Sequence, residues 1–521
     1  MKSTNRCSPA PFAGEQDRRV WRTASLALLL ASSVFFQAGA GQASPLYAGV
    51  AKADITDYAA GPANDPMYVK ALVLKDDSNT VALITVDAVA IGELGRIGNG
   101  FLPGVRAQLQ KTLNIPPSHV IVNASHCHGV VRADTAQLTV HAVEAACRNW
   151  APVKVGAGIG RETRIMENRR LRLKNGEEAD VRRAYALPPD EEVVASGPVD
   201  PEIGLLRIDR KDGKPLAAVY TFACHPIMGV PGGGNTADYP GFASRVIEET
   251  LGDGALALFV QGCAGDVNPA LYKAVHQPHD AEALGNLLGL GAMRALKKIG
   301  TRENGELKVV NEVVALPRGT DLEQRISLLE AEQIRLLQSL KGTSLNLKAF
   351  IPLYVQYALS SNYPSYYSYR YLQDQSLGRD ELTKLDAENR ANMERYIQNV
   401  QVMEQLTRIQ ENLRLLKMHH AQNAASGQKT VDAEIAVLKI GDFVLATFPG
   451  EPSVEVGLNI RRRSPHPFTF TSGYCNGYLY YAPTAKQRNN TGFAQEDCDC
   501  ILAPEWQKAY EDRVALLLKQ L

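Results

Sequence analysis

The chain has 521 residues and carries 56 Lys plus Arg against 56 Asp plus Glu, so its formal net charge is zero and no global field recruits nucleic acid. With 45% hydrophobic and 7% aromatic residues it has the composition of a globular protein long enough for one large core or two, which excludes a mainly disordered chain. Eight cysteines spread over this length exclude a dense disulfide framework, although Cys498 and Cys500 could pair with each other or with Cys475.

At the N-terminus, Arg18, Arg19 and Arg22 precede an apolar run over 24–36 and then small residues through Ala43. This order predicts a signal peptide over 1–43, cleaved after Ala40 or Ala43, and a mature chain that is periplasmic or secreted. The apolar run is too short to span a bilayer. Val20-Trp21-Arg22 matches a twin-arginine signal poorly, so general secretion is expected. No second long apolar segment follows, so the mature chain is expected to lack a transmembrane segment.

From Tyr47 to about Arg318, apolar β-rich runs alternate with helical stretches. Strands are predicted over 81–86, 120–122, 217–222 and 255–260, and amphipathic helices over 103–113 and 239–251. The expected fold class is α/β, a mixed β-sheet core flanked by helices. Between about 320 and 425, Leu, Glu, Gln, Arg and Lys recur at helical spacing, which predicts a long helical insertion. The tyrosine-rich stretch over 354–371 is expected to pack between its helices. Strand-like sequence returns over 427–446, so the core of a domain covering 44–521 closes with the C-terminal segment.

Four polar motifs follow predicted strands, and in α/β sheets residues beyond strand carboxyl ends converge on one crevice. In Ser125-His126-Cys127-His128-Gly129 the two histidines are two apart, so in extended chain they face one side and can address one metal or one substrate. His225 ends an apolar strand in Phe222-Ala223-Cys224-His225-Pro226. Glu451 sits in the Phe448-Pro449-Gly450-Glu451-Pro452 turn, where a carboxylate beside two imidazoles would complete a three-ligand set with room for water. Tyr481 lies in Asn476-Gly477-Tyr478-Leu479-Tyr480-Tyr481; its phenol holds its proton until about pH 10, so by itself it reads as an ordinary packing residue, and only the motifs around it suggest more. Asp266 and Asp238 could orient imidazole N–H groups, and Asp238 could equally be a helix N-cap. A glycosylation-type triplet, Asn123-Ala124-Ser125, abuts His126, where a glycan would crowd the site.

Taken in order, these motifs resemble the neutral ceramidase family of zinc amidases. The resemblance runs from Gly49-Val50-Ala51-Lys52-Ala53-Asp54-Ile55-Thr56 to the tyrosine loop near Tyr481. It implies one zinc ion per chain, with His126, His225, Glu451 and Tyr481 as metal ligands. It also implies His128 and Arg169, the latter in the pair Asn168-Arg169, as catalytic residues on the substrate side. The substrate it implies is an acylated small molecule, lipids included, cleaved at an N-acyl amide. Two departures point away from ceramide itself. Phe493 in Gly492-Phe493-Ala494 stands where the family has an oxyanion-stabilising tyrosine, and the match ends ahead of the family's immunoglobulin-like C-terminal domain. A metal-dependent esterase or lactonase acting on a non-lipid substrate, or a zinc-holding binding protein without turnover, are the alternative readings.

Overall fold

The computed structural model describes residues 45–181, 187–274, 276–303, 305–364 and 368–521. The expected signal peptide therefore lies outside the described residues. The protein is α/β. Its main sheet contains eight strands: Tyr47–Asp54 (β1), Tyr68–Lys75 (β2), Thr80–Val86 (β3), Val120–Ala124 (β4), Ala151–Arg161 (β5), Glu202–Arg210 (β6), Pro215–Phe222 (β7) and Leu256–Gln261 (β8). Their spatial order is β8-β7-β6-β5-β1-β2-β3-β4. The middle of the sheet is antiparallel, and each edge is a parallel pair, β3 with β4 and β7 with β8.

Helices Phe101–Leu113 (α1), Thr135–Arg148 (α2), Asp238–Leu251 (α3) and Ala281–Leu296 (α4) cover one face of this sheet. A second sheet lies on the other face: Leu307–Pro317 (β9), Thr430–Ile440 (β10), Phe443–Thr447 (β11) and Phe468–Ser472 (β12), with β11 and β12 parallel. The alternation of side chains along β7 shows why the layers stack this way. Ala217 and Val219 join Leu445 and Phe470 in the cluster between the sheets, whereas Ala218 and Tyr220 meet Phe242 and Leu288 beneath the helices. Strands covered on both faces are apolar at nearly every position, as β3 and β7 are.

Between β9 and β10 the chain forms Leu322–Ser339 (α5), Leu347–Leu359 (α6), Ser368–Ser376 (α7) and Glu381–Ser426 (α8). Leu322, Ile326, Leu329 and Leu336 of α5 pack against Ile409, Leu413 and Leu416 of α8, a spacing of three and four residues that makes one apolar stripe on each helix. The tyrosines depart from expectation. Tyr357 and Tyr371 are buried, but Tyr354, Tyr363 and Tyr369 are exposed. Tyr354 and Tyr357 lie on α6 and Tyr369 and Tyr371 on α7, so one tyrosine of each helix turns inward and the other outward, while Tyr363 lies between the two helices. Tyr366 and Tyr367 lie outside the described residues. Val454–Arg463 (α9) and Trp506–Leu518 (α10) close the outer face of the second sheet.

Candidate metal centre

The main sheet curls so that its two edges meet. Asn123 at the end of β4 donates through Nδ2 to Phe259 O (3.2 Å) and accepts at Oδ1 from Gln261 N (3.2 Å), both on β8. Thr85 Oγ1 donates to the same Phe259 carbonyl at 2.8 Å. The second sheet locks into this seam, where Ala124 N donates to Tyr474 O (3.0 Å) and Asn476 N to Val122 O (2.9 Å). The three parallel pairs of these two sheets thus direct strand carboxyl ends to one place, and β4, β7 and β11 deliver His126, His225 and Glu451 there. Asn123 is fully buried in these contacts, which rules it out as a glycan carrier.

The three residues are buried, and their ligand atoms lie within 4.8 Å of one another, so together they could hold a metal ion. His225 Nε2 is 3.0 Å and His126 Nε2 3.6 Å from Glu451 Oε2. The other ring nitrogens are committed elsewhere: His126 Nδ1 lies 2.6 Å from Val89 O, and His225 Nδ1 3.1 Å from Val267 O. A carbonyl only accepts, so each Nδ1 carries the hydrogen and each Nε2 presents a lone pair to the carboxylate. Burial pushes His126 down to about 4, against the pull of the Glu451 charge, which keeps this imidazole neutral near neutral pH. Burial opposes the charge on Glu451, and the hydrogen bond from the Tyr478 hydroxyl favours it. Acceptors facing acceptors in a buried space fit a cation placed between them.

Phenols surround the carboxylate. Tyr478 donates to Glu451 Oε1, and Tyr474 donates to Oε2 at 3.3 Å. Tyr481 pairs in parallel register with Glu451, stacks on the His225 ring at 6.3 Å, and brings its hydroxyl to 3.4 Å from His225 Nε2. The close approach of backbone here requires glycine at 265, because a Cβ there would sit 2.5 Å from the Glu451 carbonyl. Left-handed backbone clusters at the same place: His126, Asp238, Tyr474, Asn476 and Tyr480 all have φ between 56° and 68°. Such strain persists only where surrounding contacts over-determine it.

A cavity of about 560 Å³ opens over the cluster, lined by His126, His128, Arg169, His225, Glu451, Tyr478 and Tyr481 among others. His128 is exposed, with its ring 5.3 Å from that of His126. Arg169 is 1% exposed; its guanidinium pairs with Glu496 (2.7 Å), donates to Asn268 Oδ1 (3.0 Å) and Gly265 O, and lies 5.6 Å from the Tyr481 ring centre. The six sequence-selected residues therefore border one cavity.

Several expectations differ from the structure. Asp266 orients no imidazole: it accepts from Val454 N (2.8 Å), Asn168 Nδ2 and Gln487 Nε2, tying the start of α9 to the site. Backbone carbonyls have taken the imidazole-orienting task instead. Asp238 lines the cavity wall, accepts from Gly229 N and Tyr239 N, and is pushed up to about 6 by burial. Phe493 lies away from the cavity among the packed residues of α5 and α8, its ring 4.6 Å from the Arg325 guanidinium. All cysteines among the described residues are free.

Sequence reasoning missed four residues. Tyr474 and Tyr478 hold the carboxylate; the Asn476-x-Tyr478 spacing was the signal for Tyr478, and Tyr474 had none. The other two join the helical insertion to the site. Asp499 lines the cavity, accepts at its carbonyl from Tyr481 N (3.1 Å), and has its carboxylate held by His419 Nε2 of α8 at 2.8 Å. His419 is fully buried, and its Nδ1 faces Gln422 Oε1, while Gln422 Nε2 donates to Tyr480 OH at 2.9 Å.

No family model matches the chain, and no curated protein matches it. Among solved structures its fold is similar to that of neutral ceramidase from Pseudomonas aeruginosa, with a TM-score of 0.57 and 16% identity over 92% of this chain and 75% of that one. It is equally similar to a ceramidase complexed with C2, again with TM-score 0.57 and 16% identity, over 92% and 76% of the two chains. The chain thus has a ceramidase-like fold.

Proposed function

We propose that the protein is an exported zinc-dependent hydrolase that cleaves an N-acyl amide bond, with one zinc ion per chain held by His126, His225, Glu451 and Tyr481. In this reading the signal peptide over 1–43 precedes a hydrolase domain over 44–521 that carries the helical insertion over about 320–425. The observation that carries the proposal is the pair of Nε2 lone pairs facing a buried carboxylate at 3.0 and 3.6 Å, a donor set that a divalent cation satisfies.

When bound, zinc supplies Lewis-acid polarisation and makes water acidic enough to attack a carbonyl near neutral pH. The chain's own residues do the rest. Val89 O and Val267 O fix both imidazole rings, and Tyr478 and Tyr474 fix the carboxylate. His128, exposed to the cavity, accepts a proton from the attacking water and returns it to the leaving nitrogen. Arg169 keeps a fixed positive charge against the Tyr481 ring, which favours negative charge on the phenol and on a polarised carbonyl nearby. With Phe493 turned toward the insertion, Tyr272, Tyr478 and Tyr481 are the phenols among the described residues that line the cavity.

The likeness in fold to ceramidases puts an acylated lipid among the candidate substrates. The test is elemental analysis of the purified mature chain combined with hydrolysis of matched N-acyl amides, acyl esters and lactones. About one zinc per chain with amides cleaved fastest supports the proposal. Faster ester or lactone cleavage selects the esterase reading, and bound zinc without turnover of any of them selects a binding protein.

A further inference from the structure

Most of the exposed large apolar side chains among the described residues lie between Leu328 and Met403, on the helical insertion. They are most concentrated on α6. One face of this helix packs on α8: Phe350 stacks on Tyr396 at 4.6 Å, and Tyr357 donates to Asp386 Oδ1 at 2.7 Å. The other face carries Leu347, Ile351, Tyr354, Val355 and Leu359, which follow one another at helical spacing and are between 48% and 83% exposed. Leaving five such side chains in water on one stripe forfeits the burial that would stabilise them elsewhere, and a contiguous exposed stripe of this kind marks an interaction surface.

We infer that this stripe adsorbs the protein to an anionic lipid surface. Three features select that occupant. Charge is the first: from Lys341 to Arg379 the chain carries Lys341, Lys348, Arg370 and Arg379 against Asp374 alone, in a protein whose formal net charge is zero. Lys348 is the one charged residue of α6, and the nearest exposed acids along the chain after Asp380, namely Glu381, Glu388 and Glu394, sit on α8. Length is the second. The 13 residues of α6 make a rod of about 20 Å, too short to span a hydrocarbon core of about 30 Å but suited to lie along its surface. Among the described residues no helix is long and apolar enough to cross a membrane. Area is the third, since five partly exposed side chains offer on the order of a few hundred Å², short of the ~800 Å² per partner that a stable dimer buries. Tyr354 within the stripe and Tyr363 and Tyr369 beyond it are exposed, and tyrosine is favoured at the headgroup level.

The test is sedimentation of the full mature chain with vesicles of phosphatidylcholine alone and of phosphatidylcholine mixed with phosphatidylglycerol, which does not depend on turnover. The expected result is binding to the mixed vesicles that weakens as salt rises. The variant Ile351→Asn, Val355→Asn, Leu359→Asn should lose at least about tenfold in vesicle affinity, and Lys341→Glu with Lys348→Glu should remove the preference for the anionic mixture. All three asparagines replace exposed side chains, so an unchanged circular dichroism spectrum is expected and separates adsorption from folding. The inference is overturned if the wild-type chain stays in the supernatant or if the triple variant sediments as well as the wild type. It is also overturned if light scattering shows a dimer that the triple variant abolishes, because a second copy then covers the stripe.

Discussion

The candidate metal centre and the helical insertion break opposite rules of protein surfaces. At the centre, His126, His225, Glu451 and Arg169 are polar or charged groups each at most 2% exposed; on α6, apolar residues stand about half in water. Burying a carboxylate costs several kcal/mol unless it is compensated, and leaving aliphatic side chains exposed forgoes their burial. Each region is therefore held in a locally unfavourable state by the rest of the fold, the first by strand ends and left-handed backbone, the second by packing of its opposite face on α8. The difference separates a buried polar cluster suited to hold a cation from an exposed apolar stripe suited to meet another surface. His419 joins them, because it belongs to α8 and holds Asp499 at the cavity.

Variants break or sharpen this contrast in order of expected effect. Glu451→Ala and His225→Ala should reduce zinc content from about one per chain to none and abolish hydrolysis, as read by elemental analysis and product formation. His128→Ala should lower hydrolysis by about 10²- to 10⁴-fold while zinc content stays unchanged, which separates a proton carrier from a ligand. Tyr478→Phe removes the donor to Glu451 Oε1 and should weaken zinc affinity by about 10- to 100-fold in competition with a chelator. His419→Phe leaves the Asp499 carboxylate without its imidazole partner and should cost about 1–3 kcal/mol in denaturant unfolding, together with a several-fold change in hydrolysis. The triple asparagine variant of α6 should leave hydrolysis of a short-chain, water-soluble substrate unchanged.

Where periodicity and strand-end logic apply, the sequence was readable. The expected strands over 81–86 and 217–222 sit within β3 and β7, and the motifs behind β4, β7 and β11 lie together because parallel edge pairs direct them there. Of the helices of 322–426, α5 and α8 followed from composition and spacing, whereas α6 and α7, which carry most of the tyrosine-rich stretch, did not. What could not be read depends on contacts distant in sequence. The meeting of the β4 and β8 edges through Asn123 and Gln261 has no local signature, nor does the capture of each Nδ1 by a carbonyl, which left Asp266 looking like an imidazole partner. Asp499 and His419 are 80 residues apart and gain meaning only when α8 returns to the cavity. The tyrosines over 354–371 misled because composition does not say which side of a helix faces the protein.

The most direct test of the metal centre is a zinc titration of the metal-free chain followed by isothermal calorimetry, compared with Glu451→Gln. Glutamine keeps the shape of the side chain and removes its charge. One tight site per wild-type chain, weakened at least about 100-fold in Glu451→Gln, is the predicted result. Absence of a tight site, or equal affinity in the two proteins, would contradict a metal bound by His126, His225 and Glu451.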